Sequence, residues 1–370
     1  MKLFECGPEI EQYSLLREFI KAKCINDEDL IVTNRFIVDA EQVDTKGAQI
    51  LYQEEFGQGE PSDHMLIAMR DAIRRPYHRV IGIGGGTVLD LCKILSLNLD
   101  QVNDETRFYE LLMNQHPIHK AAELILVPTT CGTGSEVTNV AVFLISGLNI
   151  KLGLANKALY ADHAVLIPEL IKSLPYNPMI LSAIDALIHA CESHLSPKAN
   201  LITQSLSEKA IRLILKAFQR MAYEGKTSEE SLSDLLLASN IAGLAFGNAG
   251  CGMVHAMSYP IGGAYHMPHG ESNYEVFLPV LRFYEAKRDG RALRALKEIL
   301  SESLCSNQPL DALEQLLEKL CHRRSLAEIG ADPTVLEQFA ASVMEKQQRL
   351  LSNAIQPIAI QDILSVYLSA

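Results

Sequence analysis

The chain has 370 residues, 48% hydrophobic and 21% charged, with a formal net charge of −12. That length accommodates two domains with a core in each, and the apolar fraction excludes a disordered chain. The acidic balance argues against nucleic acid or an anionic membrane as a partner, and no run of about 18 apolar residues is present to span a bilayer.

The opening MKLFECGPEIEQ lacks the apolar core of a signal peptide. Eight cysteines are scattered without a C-x-x-C pair, as reduced thiols of a cytoplasmic protein would be. In the first half, DLIVTN (29–34), RVIGIGGG (79–86), ELILVPTT (123–130) and AVLIPE (164–169) read as buried parallel strands. DHMLIAMRDAIRR, between the first two, and VLDLCKILSL, after GGGT, have helical spacing. Such alternation predicts a doubly wound parallel sheet. Near Leu174 the texture changes, and LPYNPM, with two prolines, reads as an inter-domain connection. Beyond it, AIDALIHACESHL, SLSEKAIRLILKAFQRMA, SLSDLLLASNIAGLAF, ALRALKEIL, LDALEQLLEKLCH and VLEQFAASVMEKQQRLL all read as helices. The expectation is an α/β domain over 1–174 and an all-helical domain over 175–370.

Two turns in the first half suit phosphate. Gly82-Ile83-Gly84-Gly85-Gly86-Thr87 follows a strand and opens a helix, where glycines permit close backbone approach and the helix end offers free N–H groups. It is not a full G-x-G-x-x-G, and a plain tight turn is the alternative. Asp90 and Lys93, one turn later, could form an ordinary surface pair. Pro128–Glu136, PTTCGTGSE, offers hydroxyls and glycines after another strand; its alternative is a helix N-cap with an acidic first turn.

The second half carries a donor set. Asp185 and His189 are four apart on an expected helix, so they share a face. His255 and His269 lie in glycine-rich surroundings. One carboxylate and three imidazoles suit Fe²⁺ or Zn²⁺. D-x-x-x-H also arises by chance, and a lone histidine on an apolar face is commonly a core residue. A metal and a dinucleotide in one chain would point to hydride transfer to or from an alcohol.

Taken together, GGGTVLDLCK, PTTCGTGSEVT, DALIH and HAMSYPIGGAYHMPHG resemble the iron-containing (group III) alcohol dehydrogenases, with RLLSN (349–353) and QDIL extending the likeness end to end. The resemblance implies an α/β dinucleotide-binding domain with a parallel sheet plus an all-α metal-binding domain, the dehydroquinate synthase-like fold. It implies NAD and Fe²⁺, with Zn²⁺ possible, a small alcohol or aldehyde substrate, and a homo-oligomer. Asp185, His189, His255 and His269 match the family's metal ligands. Gly85, Gly86, Thr87 and Asp90 match its dinucleotide loop; Thr129, Thr130, Thr133 and Ser135 match its second phosphate and ribose turn; Lys151 matches a cofactor-binding lysine.

Two departures stand out. Many relatives carry Asp where this chain has Asn34, which can still bond the ribose but removes a charge that repels a 2′-phosphate. Many also carry a histidine where this chain has Tyr259, so a proton relay through that position does not transfer. Tyr259 and His266, lying between two ligands in the chain, are candidate pocket residues, with packing around the metal as their alternative. The closer likeness, in GEPSD (59–63), AGLAFGNAG (242–250) and EKQQRLL, implies 4-hydroxybutyrate and succinate semialdehyde as the substrate pair. Another small primary alcohol or diol is the alternative. A dehydroquinate synthase-like lyase would use a glutamate and two histidines, so Asp185 and His189 favour the dehydrogenase. A non-enzymatic metal-binding protein would need neither cofactor turn.

Overall fold

The computed structural model describes residues 2–41, 44–98, 104–113, 117–147, 150–287 and 290–370. Two compact units are present: Cys6–Leu174, and Pro175–Ala370 together with Met1–Glu5.

The first unit runs β1 (Glu9–Gln12), α1 (Leu16–Ala22), β2 (Asp29–Thr33), α2 (Arg35–Glu41), β3 (Gln49–Tyr52), α3 (Asp63–Asp71), β4 (Arg79–Gly84), α4 (Gly86–Leu95), α5 (Glu105–Leu112), β5 (Glu123–Pro128), β6 (Val140–Ile145), β7 (Ile150–Ala155) and β8 (His163–Leu166). Six of these strands form a parallel sheet in the order β1-β8-β5-β4-β2-β3. Alternate residues of each inner strand feed different cores. Leu30, Val32, Val80, Leu124 and Leu126 pack on one face, and Ile31, Ile81, Ile83, Ile125 and Val127 on the other. Burial on both faces is why these strands are continuous apolar runs rather than polar–apolar alternations. Thr33 pairs with Ile83, and Gly84 with Pro128, so the carboxyl ends of β2, β4 and β5 lie side by side.

The four strands read from the sequence are all present. Missed were β1 and β3, short strands at the two sheet edges, where one side of the ladder needs no partner and the apolar signal is weak. Also missed was β6–β7, an antiparallel hairpin separate from the parallel sheet.

The second unit is helical throughout its described residues after Pro175: α6 (Tyr176–Leu195), α7 (Leu201–Glu224), α8 (Glu229–Ala249), α9 (Met253–Tyr265), α10 (His269–Lys287), α11 (Arg291–Leu304), α12 (Pro309–Leu320), α13 (Pro333–Lys346), α14 (Gln348–Leu351) and α15 (Ile360–Ser369). LPYNPM is not a free connection, because α6 begins at Tyr176. Pro178 is tolerated in that first turn, where its missing N–H would have had no helical partner. From Ala183 to Leu195 every residue of α6 is buried, polar ones included. Burying Asp185, His189 and Glu192 in this way is costly unless they find partners. Among the described residues no single helix is long and apolar enough to cross a membrane.

Candidate metal and cofactor sites

Three helices of the second unit converge on one point. Asp185 and His189 stand a turn apart on α6, His255 lies in the first turn of α9, and His269 opens α10. One donor atom from each lies within 4.8 Å of all the others. His189 Nε2 is 2.9 Å from His255 Nε2, and Asp185 Oδ1 is 3.8 Å from His255 Nε2 and 3.9 Å from His269 Nε2. Asp185, His189 and His255 are buried, while His269 is partly open. Phe246 of α8 stacks on the His189 ring at 4.2 Å and holds its plane.

The donor chemistry fits a divalent ion. Facing imidazole nitrogens at this separation repel unless a proton or cation lies between them. Burial pushes the Asp185 carboxyl up, but His189, His269 and His255 outweigh it and leave its pKa lowered. His255 is raised well above the usual histidine value: burial opposes the charge, while Cys251 and Glu192 favour it. The cluster therefore attracts positive charge. Asn273, one turn after His269, answers the same need, its Nδ2 lying 2.7 Å from Asp185 Oδ1, 3.1 Å from His269 Nε2 and 3.3 Å from His255 Nε2. Gly270 allows the close helix approach, since a Cβ there would lie 2.6 Å from the Leu181 carbonyl oxygen.

Glu192, which the sequence reading passed over, sits beside the cluster. Its carboxylate accepts from Gly252 N at 2.9 Å and Val254 N at 2.6 Å, and lies 2.7 Å from His255 Nδ1. The signal was available: Asp185, His189 and Glu192 follow an i, i+4, i+7 pattern on one helix face. Tyr259 lies one turn after His255, with its ring 6.2 Å from that of His269. His266 is exposed and caps α9 in the left-handed conformation, φ 50°.

In the first unit, the candidate cofactor residues gather at the carboxyl ends of β2, β4 and β5. The sheet order reverses between β2 and β4, and that is where ligands bind in open α/β sheets. Helix α4 starts at Gly86 with no side chain capping its first turn. A Cβ on Gly86 would lie 2.9 Å from Thr133 Cγ2, so the two glycine-rich turns pack directly on one another. Thr129 N donates to Gly84 O at 3.0 Å, and Thr87 Oγ1 donates to Gly59 O at 2.9 Å. Thr130 lies across from Gly85.

The Asp90–Lys93 surface pair and the N-cap reading both require correction. Lys93 is fully buried, and its Nζ reaches Asp90, Ser135 Oγ, Thr138 Oγ1 and Val140 O. Asp90 also accepts from Ser135 Oγ at 2.6 Å and Val142 N at 2.9 Å. Asp90, Lys93 and Ser135 thus brace α4 against the turn after β5. In that turn Gly134 is left-handed, φ 54°, and only a short 3-10 turn, Ser135–Val137, follows, so no α-helix is capped there. Lys151, on β7, pairs with Glu60 at 2.7 Å. Asn34 donates to Gln53 Oε1 at 3.2 Å and Glu54 Oε2 at 2.9 Å. A carboxylate thus lies beside Asn34. Burial raises the Glu54 pKa, but backbone N–H groups, Asn34 and Arg35 outweigh it and leave it lowered.

A parallel-sheet unit is thus followed by a helical unit that gathers one carboxylate and three histidines, a donor set suited to a divalent metal. The sulfoacetaldehyde reductase of Bifidobacterium kashiwanohense, solved with NAD⁺, shares that fold at a TM-score of 0.84 and 22% identity, over 99% of this chain and 97% of that one. Residues 11–168 match the iron-containing alcohol dehydrogenase family model, and 179–370 match its C-terminal counterpart. The 4-hydroxybutyrate dehydrogenase of Clostridium kluyveri is 43% identical, covering 99% of each chain. Long-chain-alcohol dehydrogenase 1 of Geobacillus thermodenitrificans is 34% identical over 80% of this chain and 75% of that one. The chain belongs to the iron-containing alcohol dehydrogenase family.

Proposed function

We infer that this enzyme interconverts 4-hydroxybutyrate and succinate semialdehyde with NAD. The observation that carries the reading is the convergence of Asp185, His189, His255 and His269 on one buried point, in a chain 43% identical end to end to a 4-hydroxybutyrate dehydrogenase. Those four residues would hold Fe²⁺ or Zn²⁺, which when bound supplies a Lewis acid that lowers the pKa of an alcohol hydroxyl. NAD, when bound, supplies the acceptor for the hydride leaving the carbinol carbon. The unit Cys6–Leu174 serves as the dinucleotide domain, and the helical unit carries metal and substrate. Gly85, Gly86 and Thr87 would present uncapped N–H groups to the pyrophosphate, with Thr129, Thr130 and Thr133 beside them. Asp90 and Ser135 hold these turns in register, and Lys151 lies beyond them on β7. Tyr259, beside His269, and His266, which ends the same helix, would face the substrate. The same reading places the protein in the cytoplasm, where its eight free thiols stay reduced, and in a homo-oligomer.

The test is kcat/KM for 4-hydroxybutyrate against 1-butanol and 1,3-propanediol. A site that holds the carboxylate should prefer the hydroxy acid by ~10²-fold or more. Equal use of the neutral alcohols would leave an alcohol dehydrogenase without hydroxy-acid specificity.

Asn34 and Glu54, hydrogen-bonded to one another, would meet the adenosine ribose, with Glu54 as the negative charge against a 2′-phosphate. Glu54→Gln should raise kcat/KM with NADP about fivefold, in line with ~1 kcal/mol for one charge pair near the surface. Activity with NAD should change little. An unchanged NADP/NAD ratio would remove Glu54 from cofactor discrimination.

A further inference from the structure

Resting on the metal assignment above, we propose that Glu192 is a positioning residue that fixes the tautomer of His255. A neutral imidazole carries one proton, and a ligand nitrogen must offer a lone pair. His255 Nε2 faces the cluster, 2.9 Å from His189 Nε2, while Nδ1 faces Glu192 Oε2 at 2.7 Å. A carboxylate only accepts, so in the neutral ring that ligates a metal the proton would sit on Nδ1 and the lone pair on Nε2. Glu192 is itself immobilised, 5% exposed, with each oxygen accepting a backbone N–H at the start of α9. Those N–H groups, of Gly252 and Val254, belong to the same helix start that carries His255. One helix end therefore holds both the brace and the ligand it acts on. Asn353 steadies the same turn, donating to Cys251 O at 2.8 Å.

Glutamine has nearly the same shape but cannot do this without loss. Both Glu192 oxygens accept backbone protons, so either orientation of a carboxamide turns an NH₂ against an N–H. With NH₂ toward Val254, a bond is lost and a buried donor is stranded. With NH₂ toward Gly252, it donates to His255 Nδ1 and drives the proton to Nε2, withdrawing the lone pair from the cluster.

The experiment measures Zn²⁺ affinity of the full chain by competition with a chromophoric chelator, for wild type, Glu192→Gln, His255→Ala and the double variant. Glu192→Gln should bind Zn²⁺ some 10–100-fold more weakly, the usual effect of removing a partner that orients a ligand. In the His255→Ala background the same change should have almost no further effect, because its route is gone. An undiminished loss in that background would mean that Glu192 acts on the fold generally and would overturn the proposal. Wild-type affinity in Glu192→Gln would overturn it too, while failure of the wild type to bind Zn²⁺ would overturn the metal assignment beneath it. Should Glu192→Gln not fold, long-range ¹H–¹⁵N NMR of the Zn²⁺-loaded wild type decides. A proton on Nδ1 of His255 supports the proposal, and one on Nε2 overturns it.

Discussion

Replacing His269 by alanine is expected to release the metal and lower kcat/KM for alcohol oxidation by ~10³-fold or more, since Lewis-acid polarisation is worth several kcal/mol of barrier. NAD binding should remain nearly unchanged. His269 is the informative ligand because its side chain is 34% exposed, whereas that of Asp185 is 4% exposed, so truncation removes a donor with little loss of packing. The donors lie in the helical unit, and the glycine-rich turns lie in Cys6–Leu174. Metal content, steady-state rates and NAD titration of the purified variant test this together. Full turnover by a variant stripped of metal would sink the ligand assignment. Loss of NAD affinity equal to the loss of rate would show that His269 supports more than the metal.

Lys93→Met is expected to destabilise the first unit by ~3 kcal/mol, the cost of leaving one partner of a buried ion pair behind. The side chain is 0% exposed and its ammonium contacts one carboxylate, two hydroxyls and a carbonyl. Burial lowers its pKa, with Asp90 and Glu136 acting against that shift, and the net direction is downward. Methionine fills the volume but leaves Asp90 with only Ser135 and Val142 as donors. Denaturant unfolding monitored by circular dichroism, with NAD affinity measured alongside, is the check. A shift below about 0.5 kcal/mol, typical of a surface site, would mean that water replaces the ammonium easily.

The inner strands were legible because a strand buried on both faces must be apolar along its whole length, as Leu30–Val32 and Leu124–Val127 are. The edge strands β1 and β3 carry no such requirement. Helices α9 and α10 escaped for another reason. Pro260 and Gly262 in α9, and Gly270 and Pro279 in α10, oppose helix formation locally, and tertiary packing overrides them. The site was legible in part. Asp185 and His189 announce themselves by spacing, since one helix holds both. That His255 and His269 join them depends on how three helices cross, which no local pattern encodes. Asn34 shows the limit most clearly. Its departure from the family pattern looked like a lost charge until Glu54, twenty positions away, was found against it.

The contact between Gly270 and Leu181 has a consequence for how this donor cluster tolerates change. The separation of α10 from α6 is set there by backbone meeting backbone, with the Gly270 Cβ position also 3.4 Å from Asp185 Cβ. Side-chain packing elsewhere can drift by a methyl group without altering that spacing, because the stop is not made of side chains. The ligand distances are thus insulated from gradual exchange of core residues in the helical unit. The least replaceable position near the four donors is then one with no chemistry of its own: any side chain at 270 would act as a wedge, moving His269 away from Asp185 before a single donor had been altered.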